Sequence, residues 1–177
     1  MTGRSDRIVA ASAGLIGIAA LAISGYQAYI MRQQQRASVW PRVDLLTNDS
    51  DSSYSLSMTN VGIGPALLVF AEVSVDGKPR PSWRAVLDDL GGSGGFTQSR
   101  IADRVLIPGQ SQDLFRSQDP PGIGALASGA DRVEIRICYC SIYDECWLVS
   151  RSLRPGARMP HAEVRACVAD ERRRFDR

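Results

Sequence analysis

Lysine and histidine are nearly missing from this 177-residue chain, which has Lys78 and His161 and no others of either kind. Arginine supplies every other basic side chain, a bias that reads as GC-rich coding rather than as function. Excess positive charge is missing too. The 21 basic residues against 19 acidic ones leave +2, spread too evenly to serve a nucleic acid, so no such partner is expected. The chain has no Cys-x-x-Cys pair, the usual spacing of a zinc site. Gly62-Ile63-Gly64 lacks the third glycine of a dinucleotide loop, and Gly122-Ile123-Gly124-Ala125-Leu126-Ala127 follows Asp119-Pro120-Pro121 rather than a strand, so neither is expected to hold a pyrophosphate. Asp49-Ser50-Asp51-Ser52-Ser53 starts like a calcium loop but has no glycine at the sixth place and Asn60 where a bidentate glutamate belongs. Gly91-Gly92-Ser93-Gly94-Gly95 fits Gly-x-Ser-x-Gly, with His161 downstream as a base. A nucleophile elbow, however, needs a strand before it and a helix after it, and this stretch follows a helical pattern and precedes a polar loop. No catalytic residue, metal or cofactor is therefore expected, and His161 reads as an exposed residue near the tail. No internal repeat is visible.

Charge is also missing from Ile8 to Met31, and there its absence is informative. A helix over that run is roughly 36 Å long at about 1.5 Å per residue, enough to cross a hydrocarbon core of ~30 Å with some tilt. Arg4 and Arg7 flank one end, Arg32 and Arg36 the other, and Tyr26 and Tyr29 fall where amphipathic rings favour the headgroup level. A cleaved signal peptide is the competing reading, with Ala20-Leu21-Ala22 or Ala22-Ile23-Ser24 as cleavage sites, but the apolar character resumes after Ser24. An uncleaved signal-anchor is the reading adopted. Small residues four apart, Ala13/Gly17 and Ala20/Ser24, would let two such helices pack closely, so a homo-oligomer through the span is an option. Basic residues at both ends leave the positive-inside rule undecided.

The rest of the chain suits one domain. Residues 1–7 form a stub, 8–31 the span and 32–38 a polar stalk or helix extension. Strands are then expected at Val39–Leu46, Ser53–Asn60 and Leu67–Val75, the last closed by Asp76-Gly77. Asn60, Gly62, Gly64 and Pro65 make a corner between two of these, with the glycines supplying backbone angles and Pro65 stiffening the exit. Ser82 caps a short helix whose Trp83, Val86, Leu87 and Leu90 share one face. Arg104–Ile107 and Asp113–Phe115 read as short strands around Pro108-Gly109, and Asp119–Gly129 as one or two helical turns. Residues 156–177 form a tail whose Ala162–Arg174 is expected to be helical, ending in a solvated basic stretch, Arg172-Arg173-Arg174 and Arg177.

The clearest pattern is the closing hairpin, Arg132–Cys140 with Cys146–Leu153. Val133, Ile135, Ile137 and Tyr139 share one face of the first strand, and Cys138 and Cys140 the other. A turn about Tyr143 sets Tyr139 opposite Trp147, Ile137 opposite Val149 and Cys140 opposite Cys146, and a one-residue slip would break the match. Cross-strand cysteines lie within disulfide range, so Cys140–Cys146 is expected, with Cys138–Cys167 closing the tail over the same face. Free thiols and a metal site remain the alternatives. Disulfides persist outside the cytosol, which tips the domain towards the periplasmic side.

Taken in order, the apolar anchor, Trp40-Pro41, the Asn60-Val61-Gly62-Ile63-Gly64-Pro65-Ala66 corner, the Pro108-Gly109 turn and the hairpin with Tyr139 and Trp147 resemble bacterial single-pass membrane-anchored proteins with a small immunoglobulin-like β-sandwich. The resemblance covers most of the chain, and the Asn-x-Gly-x-Gly-Pro-Ala corner is its most specific part. It implies a mainly β, immunoglobulin-like sandwich over residues 39–155, with short helical connections, behind one transmembrane helix. It carries no catalytic residues over, and the cysteines are not among its marks. Two functions from different classes follow as expectations. One is a non-catalytic interaction module at the inner membrane that binds another envelope protein. The other is a thiol-redox or metal-responsive protein using Cys138, Cys140, Cys146 and Cys167.

Overall fold

The computed structural model describes residues 3–154 and 156–175, so Met1 and Thr2 of the stub and Arg177 of the basic end lie outside the described residues. The chain divides into two compact units after Ser38. In the first, helix α1 runs from Gly3 to Ala37 and continues through the polar stretch that follows the apolar run. Its part from Arg7 to Ala37 is long and apolar enough to cross a membrane, and its most apolar stretch is not buried against the rest of the protein.

The second unit is mainly sheet. Strands β1 (Val43–Ser50) and β2 (Ser53–Asn60) form a hairpin, followed by β3 (Ala66–Val75) and β4 (Lys78–Arg80). Helix α2 (Trp83–Asp89), strands β5 (Thr97–Gln98), β6 (Arg104–Leu106) and β7 (Ser111–Ser117), and helix α3 (Pro120–Gly129) lead to β8 (Val133–Cys140), β9 (Cys146–Ser152) and β10 (His161–Val164). One antiparallel sheet has the order β1-β2-β7-β5, and the other β10-β9-β8-β3-β4 with β6 also on β3. A single core draws on both, through Val43, Leu45, Leu56, Met58 and Leu114 from the first and Val73, Ile135, Ile137, Tyr139 and Val149 from the second.

Two irregularities explain how the chain fills that core. In β3, Ala66 and Leu68 face inward, then the pairing with β8 shifts between Leu68 and Phe70, and Ala71, Val73 and Val75 face inward instead. A one-residue bulge inverts which side chains meet the core, so Phe70 and Glu72 are buried on the opposite face. The second irregularity is at Pro108-Gly109. The flanking strands do not pair with each other: β6 joins β3 and β7 joins β2, so the turn carries the chain from one sheet to the other.

Helix α2 behaves as its spacing predicts. The Ser82 side chain accepts a hydrogen bond from the Ala85 amide at 3.4 Å, and Trp83, Val86 and Leu87 are buried. The Trp83 ring lies 5.1 Å from Phe115 and 5.1 Å from Phe175.

The closing hairpin has the register read from its faces, Ile137 opposite Val149, Tyr139 opposite Trp147 and Cys140 opposite Cys146. The Tyr139 and Trp147 rings stack 5.8 Å apart, but only Tyr139 is fully buried. Tyr139→Ala should therefore cost about 3–5 kcal/mol, and Trp147→Ala clearly less. Urea unfolding of the two variants checks this, and equal losses would contradict the inward placement of Tyr139.

The tail departs from expectation. Among the described residues 156–175 there is no helix: His161–Val164 add to the free edge of β9 as β10, and the rest runs as turns. The 3.6-residue pattern in Ala162–Arg174 loses because the open edge of β9 offers a ladder of backbone partners that a solvated helix does not. Nor is the tail a separate unit, since Phe175 is fully buried and its amide donates to the Ala71 carbonyl at 2.9 Å. His161 is not an exposed residue either. Its Nε2 lies 2.8 Å from the Val43 carbonyl and 3.6 Å from Asp44. With Arg151 on the Leu45 carbonyl and the Leu45 amide donating to Met159 Sδ at 3.3 Å, these side chains occupy the outer edge of β1. An edge covered in this way cannot serve as a template for another strand.

Candidate functional site

The four cysteines gather on the outer face of the second sheet. β8 sets Cys138 and Cys140 two residues apart on one side, β9 brings Cys146 opposite Cys140, and the tail returns Cys167 from beyond β10. Cys138 and Cys167 sulfurs are 2.02 Å apart and those of Cys140 and Cys146 2.08 Å apart, so the described residues contain no free cysteine. The two bonds are neighbours: Cys140 Sγ lies 3.7 Å from Cys167 Sγ. Cys138, Cys140 and Cys146 are all buried.

The sulfurs of Cys140, Cys146 and Cys167 lie within 4.8 Å of one another, which is close enough to share one ion. Metal ligation requires thiolates, however, and a sulfur already bonded to another sulfur has none to offer. The cluster as it stands is a pair of covalent staples rather than a ligand set.

The second place where chemistry concentrates is the corner at Asn60, which is completely buried. Its Nδ2 donates to the Gly64 carbonyl at 2.8 Å and the Leu106 carbonyl at 2.9 Å, while Oδ1 accepts from the Gly62 amide at 3.0 Å and the Arg42 amide at 3.2 Å. Its backbone exchanges bonds with the Pro108-Gly109 turn, from the Gly109 amide at 2.8 Å and to the Gln110 carbonyl at 3.0 Å. One side chain thus ties together the start of β1, the β2–β3 corner and β6. The role of the glycines differs from that expected. Gly62 and Gly64 are not among the glycines with positive φ. They are needed because a Cβ at Gly62 would run into the Arg42 amide and Trp40 carbonyl, and one at Gly64 into the Val39 carbonyl. Pro65 continues the chain into β3, where no amide is asked of it.

No protein-family model and no curated protein matches this chain. Its reading rests on geometry. The Gly91–Gly95 loop and His161 belong to different parts of the domain. The loop packs on Ser117 and Asp119, whereas His161 sits against β1. An open cleft of about 490 Å³ between the β1–β2 turn and α3 is lined by the exposed Asp49, Ser50 and Asp51 on one side and by Pro120, Ile123 and Ala127 on the other. Burial and the nearby Asp49 carboxylate push the Tyr54 phenol up to about 12. Burial likewise raises Tyr139, against the pull of a hydrogen bond to the Val43 backbone, so neither phenol is poised as a base near neutral pH.

Sequence reasoning reached the cysteines, including the Cys138–Cys167 tie on the tail, the corner and the hairpin register, but missed the pairing of β10 and the burial of Phe175. Phe175 is the one aromatic after Trp147. A lone aromatic in an arginine-rich segment was the available signal.

Proposed function

We propose that this protein is a non-catalytic, membrane-anchored interaction module of the bacterial envelope. On this reading, α1 spans the inner membrane once and the domain from Val39 onward, an immunoglobulin-like sandwich, stands on the periplasmic side and binds another envelope protein through its loops. The carrying observation is the pairing of all four cysteines on a mainly β domain that follows an apolar helix long enough to span. Paired structural cysteines belong to oxidising compartments. Sheet domains of this kind commonly serve as scaffolds for contacts, with the identity of the contact carried by the loops rather than the fold. Helix packing through Ala13/Gly17 and Ala20/Ser24 would add a homo-oligomer. The backbone is open at Gly14 and Gly17.

One observation favours a second reading. With Cys140 Sγ 3.7 Å from Cys167 Sγ, a partner's thiolate that opened one bond as a mixed disulfide would release a cysteine thiolate beside the second bond, an arrangement suited to thiol–disulfide exchange. Crosslinking of the full chain in native membranes separates the two. The interaction module predicts a discrete adduct that survives reductant and persists in a Cys140→Ser/Cys146→Ser variant. Adducts that form only as mixed disulfides and dissolve in reductant would favour exchange and overturn the first reading.

A further inference from the structure

The domain's exposed apolar side chains are not scattered. Among the described residues of the second unit, every exposed large hydrophobic except Leu46 and Val168 lies at one end, the end at which the chain enters at Val39. Trp40 precedes β1. Val61 and Ile63 lie in the β2–β3 corner, and the Ile63 amide donates to the Trp40 carbonyl at 3.0 Å. Ile107 follows β6 at the turn bonded to Asn60, and Ile142 and Tyr143 form the β8–β9 turn beyond Cys140, which pairs with Leu67 near the start of β3. Val105 of β6, opposite Leu67, lies at the same end, and these seven side chains are between 43% and 65% exposed. The opposite end carries Asp51-Ser52, Asp76-Gly77-Lys78 and Asp131-Arg132, with no large apolar side chain exposed.

We infer that this apolar end rests in the headgroup region of the bilayer that α1 crosses. The inference depends on the reading of α1 as a span, and three observations name lipid as the occupant. First, only residues 32–38 separate the apolar run from Val39, about 10 Å if helical at 1.5 Å per residue, so the chain entrance is tethered within short reach of the membrane surface. Second, the patch is a set of separate loop tips carrying Trp, Tyr and aliphatic side chains, the mixture that partitions into the interface. Third, the apolar exposure is one-sided: the end remote from the chain entrance presents charged and polar turns without a large exposed apolar side chain, whereas the near end sets its apolar tips beside only a few charges such as Asp144 and Glu145. With the near end on lipid, partner recognition falls to the polar loops of the far end.

The test uses the full-length chain in vesicles of phosphatidylcholine and phosphatidylglycerol, with and without brominated acyl chains that quench nearby tryptophan. Ile107→Trp and Tyr143→Trp are each introduced into a Trp40→Phe background, at exposed positions away from the chain entrance, and Lys78→Trp marks the opposite end. Co-flotation with vesicles first establishes anchoring independently of patch contact. We expect brominated lipid to remove the added emission of both near-end variants while leaving that of the Lys78→Trp chain. Either near-end variant suffices should the other not fold. Quenching at the near end no greater than in the Lys78→Trp chain would overturn the inference. A blue-shifted but unquenched signal would also overturn it, and would assign the patch to a second copy or another protein.

Discussion

Asn60→Ala is expected to destabilise the domain by about 3–5 kcal/mol, although it removes only a few atoms. Truncation leaves the Gly64 and Leu106 carbonyls without their partner in the buried interior, and the Gly62 and Arg42 amides without theirs at half-buried positions. Each abandoned buried group costs about 1–3 kcal/mol, and partial entry of water offsets some of the sum. Asn60→Asp separates the two halves of the effect. It keeps the acceptor but replaces both donors by a carboxylate facing two carbonyl oxygens, so it should lose nearly as much at neutral pH. The folded state then favours the protonated acid, whose pKa is raised above the unfolded value. The variant should therefore regain stability as pH falls through that folded-state pKa and one donor is restored. Gly64→Ala should be comparably damaging for a steric reason, because its Cβ would overlap the Val39 carbonyl. Denaturant unfolding of the full chain in micelles measures all three. An Asn60→Ala chain within about 1 kcal/mol of wild type, less than one abandoned buried group would cost, would show that the corner is not held by this side chain.

The second large effect is expected where the tail is fastened. Cys138–Cys167 spans 29 residues, and Phe175 inserts beside Trp83 further on. Removing the bond by Cys138→Ala/Cys167→Ala should cost about 3–4 kcal/mol through loop-closure entropy. Phe175→Ala should cost about 3–5 kcal/mol by emptying a site that touches the core tryptophan. Both fastenings hold the same segment, so the combined variant should lose less than the two losses added together. Thermal unfolding of the three variants reads this out. Strict additivity would mean that Phe175 packs independently of the bond. Arg173 to Glu72 at 3.4 Å, and Arg174 to Asp103, would not keep the tail in place alone, since ion pairs at partly exposed positions contribute little.

How much of this could be read from the sequence depends on how local the determining interactions are. The span, the α2 face and the closing hairpin are set by residues within a few positions of one another. Alternation alone therefore placed Tyr139 opposite Trp147 and brought Cys140 to Cys146. The β3 bulge was not legible, because the apolar run from Leu67 to Val75 reads the same in either phase until a partner strand fixes the shift at Val69. Nor was the separation of β6 from β7, since strands joined by Pro108-Gly109 look like a hairpin until Asn60 claims the turn. The tail failed for the same reason. The Cys138–Cys167 tie was legible, but the segment's local pattern is helical, and the edge of β9 and the pocket beside Trp83 that outweigh it are tertiary partners. Gly62 and Gly64 were correctly singled out for the wrong property, because close approach of Val39 and Trp40 is a tertiary fact that a glycine in a sequence does not distinguish from an unusual backbone angle.

The compartment of the domain, and with it the proposed function, depends on the state of four sulfurs in the living cell. The most direct measurement alkylates thiols in intact cells before lysis, then maps the remaining cysteine peptides under non-reducing conditions. The account predicts no alkylated cysteine before reduction, and two linked peptide pairs, Cys138 with Cys167 and Cys140 with Cys146. Four alkylated cysteines would contradict it. That result would put the domain in a reducing compartment, reverse the orientation assigned to α1, and leave the reduced cluster as a thiol or metal site.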